Sequence, residues 1–193
     1  MTRRFRIVAI IGTSRPGNFT SKAMAIAVEE FRAHDDIELD LIDAGALNLS
    51  PPGIAGGEED ARQLKERILA ADGVLFSTPE YHGSMCSVAK LIIENLGFPS
   101  TLRGKPVALL GVAAGAIGAI KALEQLRSVC SHVGALVLPG PVSIAKVGDV
   151  FDSQGRCTDP ATEKRVRGLV DSLLDYVRRH TCPSLTSEQM VRE

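Results

Sequence analysis

The run "FRIVAII" (5–11) ends at Gly12, passes through a polar loop and gives way to a stretch with apolar residues at helical spacing. This strand-then-helix unit recurs down the chain, and it limits the fold more than any other feature. A β-branched run without regular polar alternation reads as a strand covered on both faces. Residues 21–31 carry Ala, Met and Ile at helical spacing, and "IELDLID" (37–43) alternates as a strand nearer a sheet edge does. After a loop rich in Gly and Pro (44–57), Ala61, Leu64, Ile68 and Ala71 mark one helix face. "GVLFSTP" (73–79) reads as a short strand stopped by proline, followed by a stripe of Val88, Leu91, Ile92 and Leu96. The segment 105–115 repeats the strand, and Ile120, Leu123, Leu126, Cys130 and Val133 repeat the helix. "ALVLPGPVSI" (135–144) is a last strand broken by Pro139 and Pro141, which suits an edge or a bulge. Val166, Leu169, Val170, Leu173, Leu174 and Val177 form the clearest amphipathic helix. Five strands alternating with five helices predict an α/β fold with a five-stranded parallel sheet covered on both faces.

The size of 193 residues fits one domain, expected over 1–180, with a polar tail over 181–193. A formal charge of -1 gives no long-range attraction to nucleic acid or to anionic lipid, so neither is expected as a partner. Cys86, Cys130, Cys157 and Cys182 lack metal-ligand or disulfide-framework spacing, and His34, His132 and His180 are too dispersed to predict a metal site. The arginines before the first apolar run resemble a leader only faintly, and no small-residue cleavage site follows them. No stretch approaches a membrane span, and a reducing cytoplasm is the expected location.

In a parallel sheet covered on both faces, ligands bind at the carboxyl ends of the strands. Three loops there have unusual composition: 12–21, 78–87 and 112–118. In the first, Thr13, Ser14, Thr20 and Ser21 supply hydroxyls, Asn18 an amide and Arg15 a guanidinium, just before a helix whose opening amides are free to donate. That set fits a terminal phosphate. Gly12 and Gly17 have the spacing of half a Walker A loop, but Asn18-Phe19-Thr20 replaces the required Lys and Ser/Thr, which argues against nucleoside triphosphate chemistry. An ordinary N-cap at Asn18 or Thr20 is the plainer alternative. In the second loop, Pro79, Tyr81 and Gly83 offer a stiff backbone, a flat aromatic surface and close approach, as a planar heteroaromatic needs. Glu80 and His82 could be read as an acid–base pair, but a proton path shared between them is doubtful. The third loop is nearly free of polar side chains and offers its backbone to a ring edge. Together the loops predict a mononucleotide with a large flat base.

"GTSRPGNFTSK" resembles the GSxRxxSxN phosphate loop of the NADPH-dependent FMN reductase family. "ADGVLFSTPEYHGSMCSVAKLIIENL" is similar to that family's PEYNGSxPGxLKNxIDxL segment, and "RGKPVALLGVAAGAIGAIKALEQLR" to the strand, small-residue loop and helix that follow. The resemblance runs from about Arg6 through the last long helix. It implies a flavodoxin-like three-layer sandwich with strand order 2-1-3-4-5, non-covalent FMN, and a homodimer or homotetramer. It also implies an NAD(P)H-dependent reductase, with hydride passing from nicotinamide to flavin N5 and electrons then to a small-molecule flavin, quinone, azo or oxyanion acceptor. By position, Thr13, Ser14, Arg15, Asn18 and Thr20 would hold the FMN phosphate. Pro79, Glu80, Tyr81, His82 and Gly83 would line the isoalloxazine, while Ala113, Ala114, Gly115 and Ala116 would approach its pyrimidine side or the ribityl chain. No catalytic side chain is implied, because the cofactor carries the chemistry.

The chain departs from the pattern at several places. Asn18 stands for the usual serine, Thr20 for asparagine and His82 for asparagine. Met85-Cys86-Ser87 replaces an aromatic, a proline and a glycine; Lys90 is kept, and Leu91 takes an asparagine's place. Cys86, at a predicted helix start, is a low-pKa thiol or a small packing residue. Arg103 and Lys105 are cations of the kind a 2′-phosphate needs, but their position assigns them nothing. Ile93 beside Ile92 widens one helix stripe, as a subunit interface would. Other readings are a flavodoxin-type electron carrier and a flavodoxin-fold interaction protein without cofactor. The carrier is disfavoured by a near-neutral charge, no Trp and two Tyr. Against the interaction protein stands the agreement of three loops. A phosphoacceptor receiver lacks its acidic residues.

Overall fold

The computed structural model describes residues 4–180, so the tail over 181–193 lies outside the described residues. In chain order the elements are β1 (Phe5–Ile11), α1 (Phe19–Arg32), β2 (Ile37–Asp43), α2 (Glu58–Ala70), β3 (Gly73–Tyr81) and β4 (Ser84–Met85). There follow α3 (Ser87–Glu94), β5 (Pro106–Val112), α4 (Ile120–His132), β6 (Leu136–Val137), β7 (Val142–Ile144) and α5 (Pro160–His180).

Period-two alternation in the central strands builds two cores at once. From β1, Ile7, Ala9 and Ile11 join Leu75, Ala108 and Leu110 on the face covered by α1 and α5. The intervening Val8 and Ile10 join Val74, Phe76, Val107 and Leu109 on the opposite face, under α2, α3 and α4. A strand with no wet face has no position for a polar side chain, which is why these segments read as unbroken apolar runs. The α5 stripe from Val166 to Val177 is wholly buried in the first core, as its sequence period requires.

The sheet runs β2-β1-β3-β5-β6 with all of these pairs parallel. This is the expected order with two modifications. The fifth position is shared by two short pieces, β6 and β7, which pair in parallel with successive parts of β5. Pro139 and Pro141 lie between the pieces, where a missing N–H and a fixed φ break the ladder. The third strand also continues past the proline predicted to stop it. Pro79 is paired with Val112, and Glu80 and Tyr81 then turn to the antiparallel β4. Ile93 is buried in the chain's own second core, so it gives no reason to place an interface there.

At the end of β1 the backbones crowd. Gly12 N–H donates to Ser77 O at 3.0 Å, and a Cβ on Gly12 would stand 2.3 Å from that oxygen. Gly12→Ala is therefore expected to cost about 1–3 kcal/mol through forced displacement of β1 from β3. Urea unfolding measures this, and an unchanged midpoint would refute the close-approach account.

Candidate functional site

The three loops converge at the carboxyl edge of β1, β3 and β5 around a cleft of about 260 Å³. Arg15, Pro16, Gly17, Asn18, Phe19 and Thr20 form one wall, Pro79, Glu80 and Tyr81 the opposite one, and Val112, Ala113, Ala114 and Val147 the end. Of the predicted residues, Arg15, Asn18, Thr20, Pro79, Glu80, Tyr81, Ala113 and Ala114 line it directly. Thr13 is buried beneath the first loop, where its Oγ1 accepts from Arg15 N–H at 3.4 Å. Ser14, His82, Gly83, Gly115 and Ala116 flank the cleft in sequence without lining it.

The first wall is held by Asn18, the N-cap of α1. Its Oδ1 accepts from Ser21 N–H at 2.7 Å, and its Nδ2 donates to Arg15 O at 2.7 Å. The amide therefore closes the loop onto the helix, as the plainer N-cap alternative requires at this position. The neighbouring Thr20 differs. It is 1% exposed, lines the cleft, and its buried Oγ1 has no hydrogen-bond partner among the described residues. Leaving a buried hydroxyl unpaired costs about 1–3 kcal/mol, and an entering oxygen atom would recover it. No acidic residue occupies the first turn of α1, so nothing on the helix offsets the positive end of its dipole. Arg15 makes its contacts through its backbone, leaving an exposed guanidinium without an ion pair among the described residues.

The second wall is a hairpin. His82 and Gly83 both have positive φ (52° and 75°), as the two central residues of a type I′ turn do. Ser84 Oγ donates to Gln125 Oε1 and Gln125 Nε2 to Gly83 O, which ties the hairpin to α4. Glu80 serves the same junction: its Oε2 accepts from Ala122 N–H at 3.1 Å in the first turn of α4. The carboxylate thus does for α4 what an acidic cap does, while His82 is exposed in the turn.

The third loop is pinned from behind. Ala113 N–H donates to Ile144 O, Val147 N–H to Ala113 O and Lys146 N–H to Gly115 O. Val147 reaches the cleft through these bonds, and no local pattern marks it in the sequence. Pro16, Gly17 and Phe19 carried a signal, since they lie inside the loop singled out for its composition; Val112 is the last residue of a buried strand.

Other sequence candidates fall elsewhere. Lys105 immediately precedes β5 at the opposite end of the sheet, where its Nζ donates to Leu69 O and Ala71 O and burial lowers its pKa. It is out of reach of the cleft. Burial pushes the Cys130 thiol up to about 12, as for a packing residue. His34 lies near Glu30 and Asp171 on the α1–α5 face, with Arg178 against its Nδ1 and Arg167 on Glu30.

The fold defines a flavodoxin-like protein with a cleft at the carboxyl ends of its central strands. The sequence profile of the NADPH-dependent FMN reductase family matches residues 5–149. A protein named NAD(P)H-dependent FMN reductase from Pseudomonas aeruginosa is 31% identical, over 93% of this chain and 98% of its own. A 2-hydroxy-1,4-benzoquinone reductase from a Burkholderia species is 32% identical, over 90% and 96% respectively. The solved structure of FerB, a flavoenzyme NAD(P)H:(acceptor) oxidoreductase from Paracoccus denitrificans, superposes with a TM-score of 0.76 at 27% identity. It covers 91% of this chain and 98% of FerB. The chain belongs to the NADPH-dependent FMN reductase family, and its activity is that of an NAD(P)H-dependent oxidoreductase with FMN as cofactor.

Glu80→Ala removes the carboxylate from the first turn of α4 and is expected to destabilise the FMN-free protein by about 1 kcal/mol. Thermal unfolding checks this; a variant as stable as its parent would show that Glu80 does not anchor α4.

Proposed function

We propose that the cleft holds FMN with its phosphate at the start of α1 and its isoalloxazine against residues 79–83 and 113–116, and that the acceptor is a planar quinone. The observation that carries this reading is the buried, unpartnered hydroxyl of Thr20 lining the cleft. A phosphate oxygen would satisfy it, next to the uncompensated helix terminus and within the loop that carries the free Arg15 guanidinium. Thr13, Ser14 and Asn18 then act mainly by shaping the loop. Pro79 and Tyr81, facing Ala113 and Ala114, supply the apolar surfaces a flat ring needs.

Bound FMN would supply the redox chemistry, accepting hydride from NAD(P)H and delivering electrons to the acceptor. The chain's own residues orient the ring, keep its edges against backbone donors and shape the space above it. No side chain is assigned a proton: Glu80 is engaged by α4 and His82 stands outside the cleft lining. Tyr81, Ile117 and Ile120 leave apolar surface exposed beside the cleft, 40%, 74% and 48% respectively, which favours a planar organic acceptor over an oxyanion. The name of the Burkholderia relative supports the same choice.

We further propose that residues 1–180 work as one FMN-binding domain and that the protein is a homodimer or homotetramer. Phe98, fully exposed at the groove between the ends of α3 and α4, supports a covering subunit. The need for reduced nicotinamide supports a cytoplasmic location for the reaction. Among the described residues no helix is long and apolar enough to cross a membrane.

The purified protein is expected to show a flavin absorption spectrum, or to acquire one with added FMN, and to bleach anaerobically with NADPH. Protein that takes up no FMN would overturn the assignment of the cleft. Thr20→Val and Arg15→Ala should each raise the FMN dissociation constant roughly tenfold or more, about 1.4 kcal/mol, with little change in turnover at saturating FMN. Equal affinity in both variants would remove the phosphate from the start of α1.

A further inference from the structure

Cys86 occupies the N-cap of α3, where Ser, Thr, Asp or Asn ordinarily turns back to cap its helix. Its thiol makes no such bond. Instead Sγ–H donates to the carbonyl of Gly12, the residue that closes β1 and opens the first wall of the cleft. The backbone N–H of Cys86 donates to Thr78 Oγ1 at 3.2 Å, and the Thr78 hydroxyl, having one proton, donates to Pro79 O at 3.0 Å. Thr78 is 0% exposed and Cys86 4%.

A buried polar chain thus runs behind the cleft. It starts at the Pro79 carbonyl in one wall, passes through Thr78 and Cys86, and ends at the Gly12 carbonyl beneath the other. The register of β1 with β3 ends at Ile11 and Ser77, followed by one bond from Gly12 N–H to Ser77 O, and beyond that bond no β1–β3 ladder pairing joins the 12–20 loop to residues 79–83. The proline that the resembling pattern has at position 86 would offer neither the N–H nor the S–H.

We infer that Thr78 and Cys86 are positioning residues for FMN, locking the separation of the 12–20 and 79–83 loops through the Pro79–Thr78–Cys86–Gly12 chain. The inference rests on the reading that the cleft holds FMN. Neutral bonds in a buried chain support one another, and removing one leaves a carbonyl without a partner where water does not reach. The freed loop end then drifts, moving the phosphate site relative to the backbone groups that meet the ring. Both affinity for the cofactor and the electronic environment of the ring change together.

The test compares Cys86→Ala, Cys86→Ser, Thr78→Val, Thr78→Ser and the Thr78→Val/Cys86→Ala double variant. Three quantities are measured: the FMN dissociation constant, the midpoint potential of the bound flavin and the thermal stability of the FMN-free protein. Cys86→Ala should raise the dissociation constant about tenfold and shift the potential, while Cys86→Ser restores the dissociation constant to within about twofold and returns the potential to that of the parent. Thr78→Val should act like Cys86→Ala, and the double variant should be little worse than the more severe single, as one network requires. Unchanged affinity and potential in Cys86→Ala would overturn the inference. So would failure of serine to restore them, or an affinity loss that follows only the stability of the FMN-free protein with the potential unmoved. If Cys86→Ala does not fold, Thr78→Val against Thr78→Ser gives the same comparison. A parent protein that binds no FMN overturns the reading of the cleft itself, and this inference with it.

Discussion

Burial of the central sheet on both faces is the constraint from which the rest of the structure follows. β1, β3 and β5 spend their backbone groups on one another and most of their side chains on two cores, so polar side chains with work to do are confined to the carboxyl ends of these strands, as Ser77, Thr78 and Glu80 are in β3. What remains is the end of each strand. The sheet order reverses direction between β1 and β3, and loops leaving two adjacent strands toward opposite faces open a crevice there. The close backbone approach of Gly12 to Ser77 holds the two strand ends together at the base of that crevice.

Charge at the cleft is decided by how each helix start is finished. α1 begins with a neutral asparagine cap and no acid in its first turn. α4 begins with the Glu80 carboxylate against its amides, and α3 with a thiol directed elsewhere. α2, outside the cleft lining, carries Glu58, Glu59 and Asp60 in its first turn. A negatively charged ligand is therefore drawn to the start of α1 and is discouraged at the start of α4 by the carboxylate already there. The same carboxylate that anchors the hairpin would thus set the direction of the FMN proposed for the cleft, phosphate toward α1.

Legibility in the sequence followed the range of the physics involved. Strand burial and helix stripes are local periodicities, and from them the layers, the order of elements and the three loops could be read. Asn18 could be read as a cap for the same reason, because its partners lie within three residues. The job of Glu80 could not, since Ala122 is 42 residues away. Nor could Val147, which reaches the cleft only because the β7 edge folds back on Ala113. Pro79 misled because proline usually ends a ladder, whereas here the strand continues into a hairpin. Ile93 misled because a stripe on an eight-residue helix is too short to show how wide its covered face is.

The division of labour within the cleft bears on how such a site can change. Around the expected ring position the chain contributes backbone, Pro79, Tyr81 and small side chains, and apart from Arg15 and Thr20 several polar side chains of the cleft are bound to the protein itself. Glu80 holds α4, Asn18 holds the first loop, and Thr78 with Cys86 joins the two walls. Substituting any of these disturbs the frame before it touches chemistry. The exposed surfaces of Tyr81, Ile117 and Ile120 carry no such duty, since they end in solvent. Acceptor preference is thus free to drift at the rim while cofactor affinity stays under the control of buried residues that never meet the acceptor.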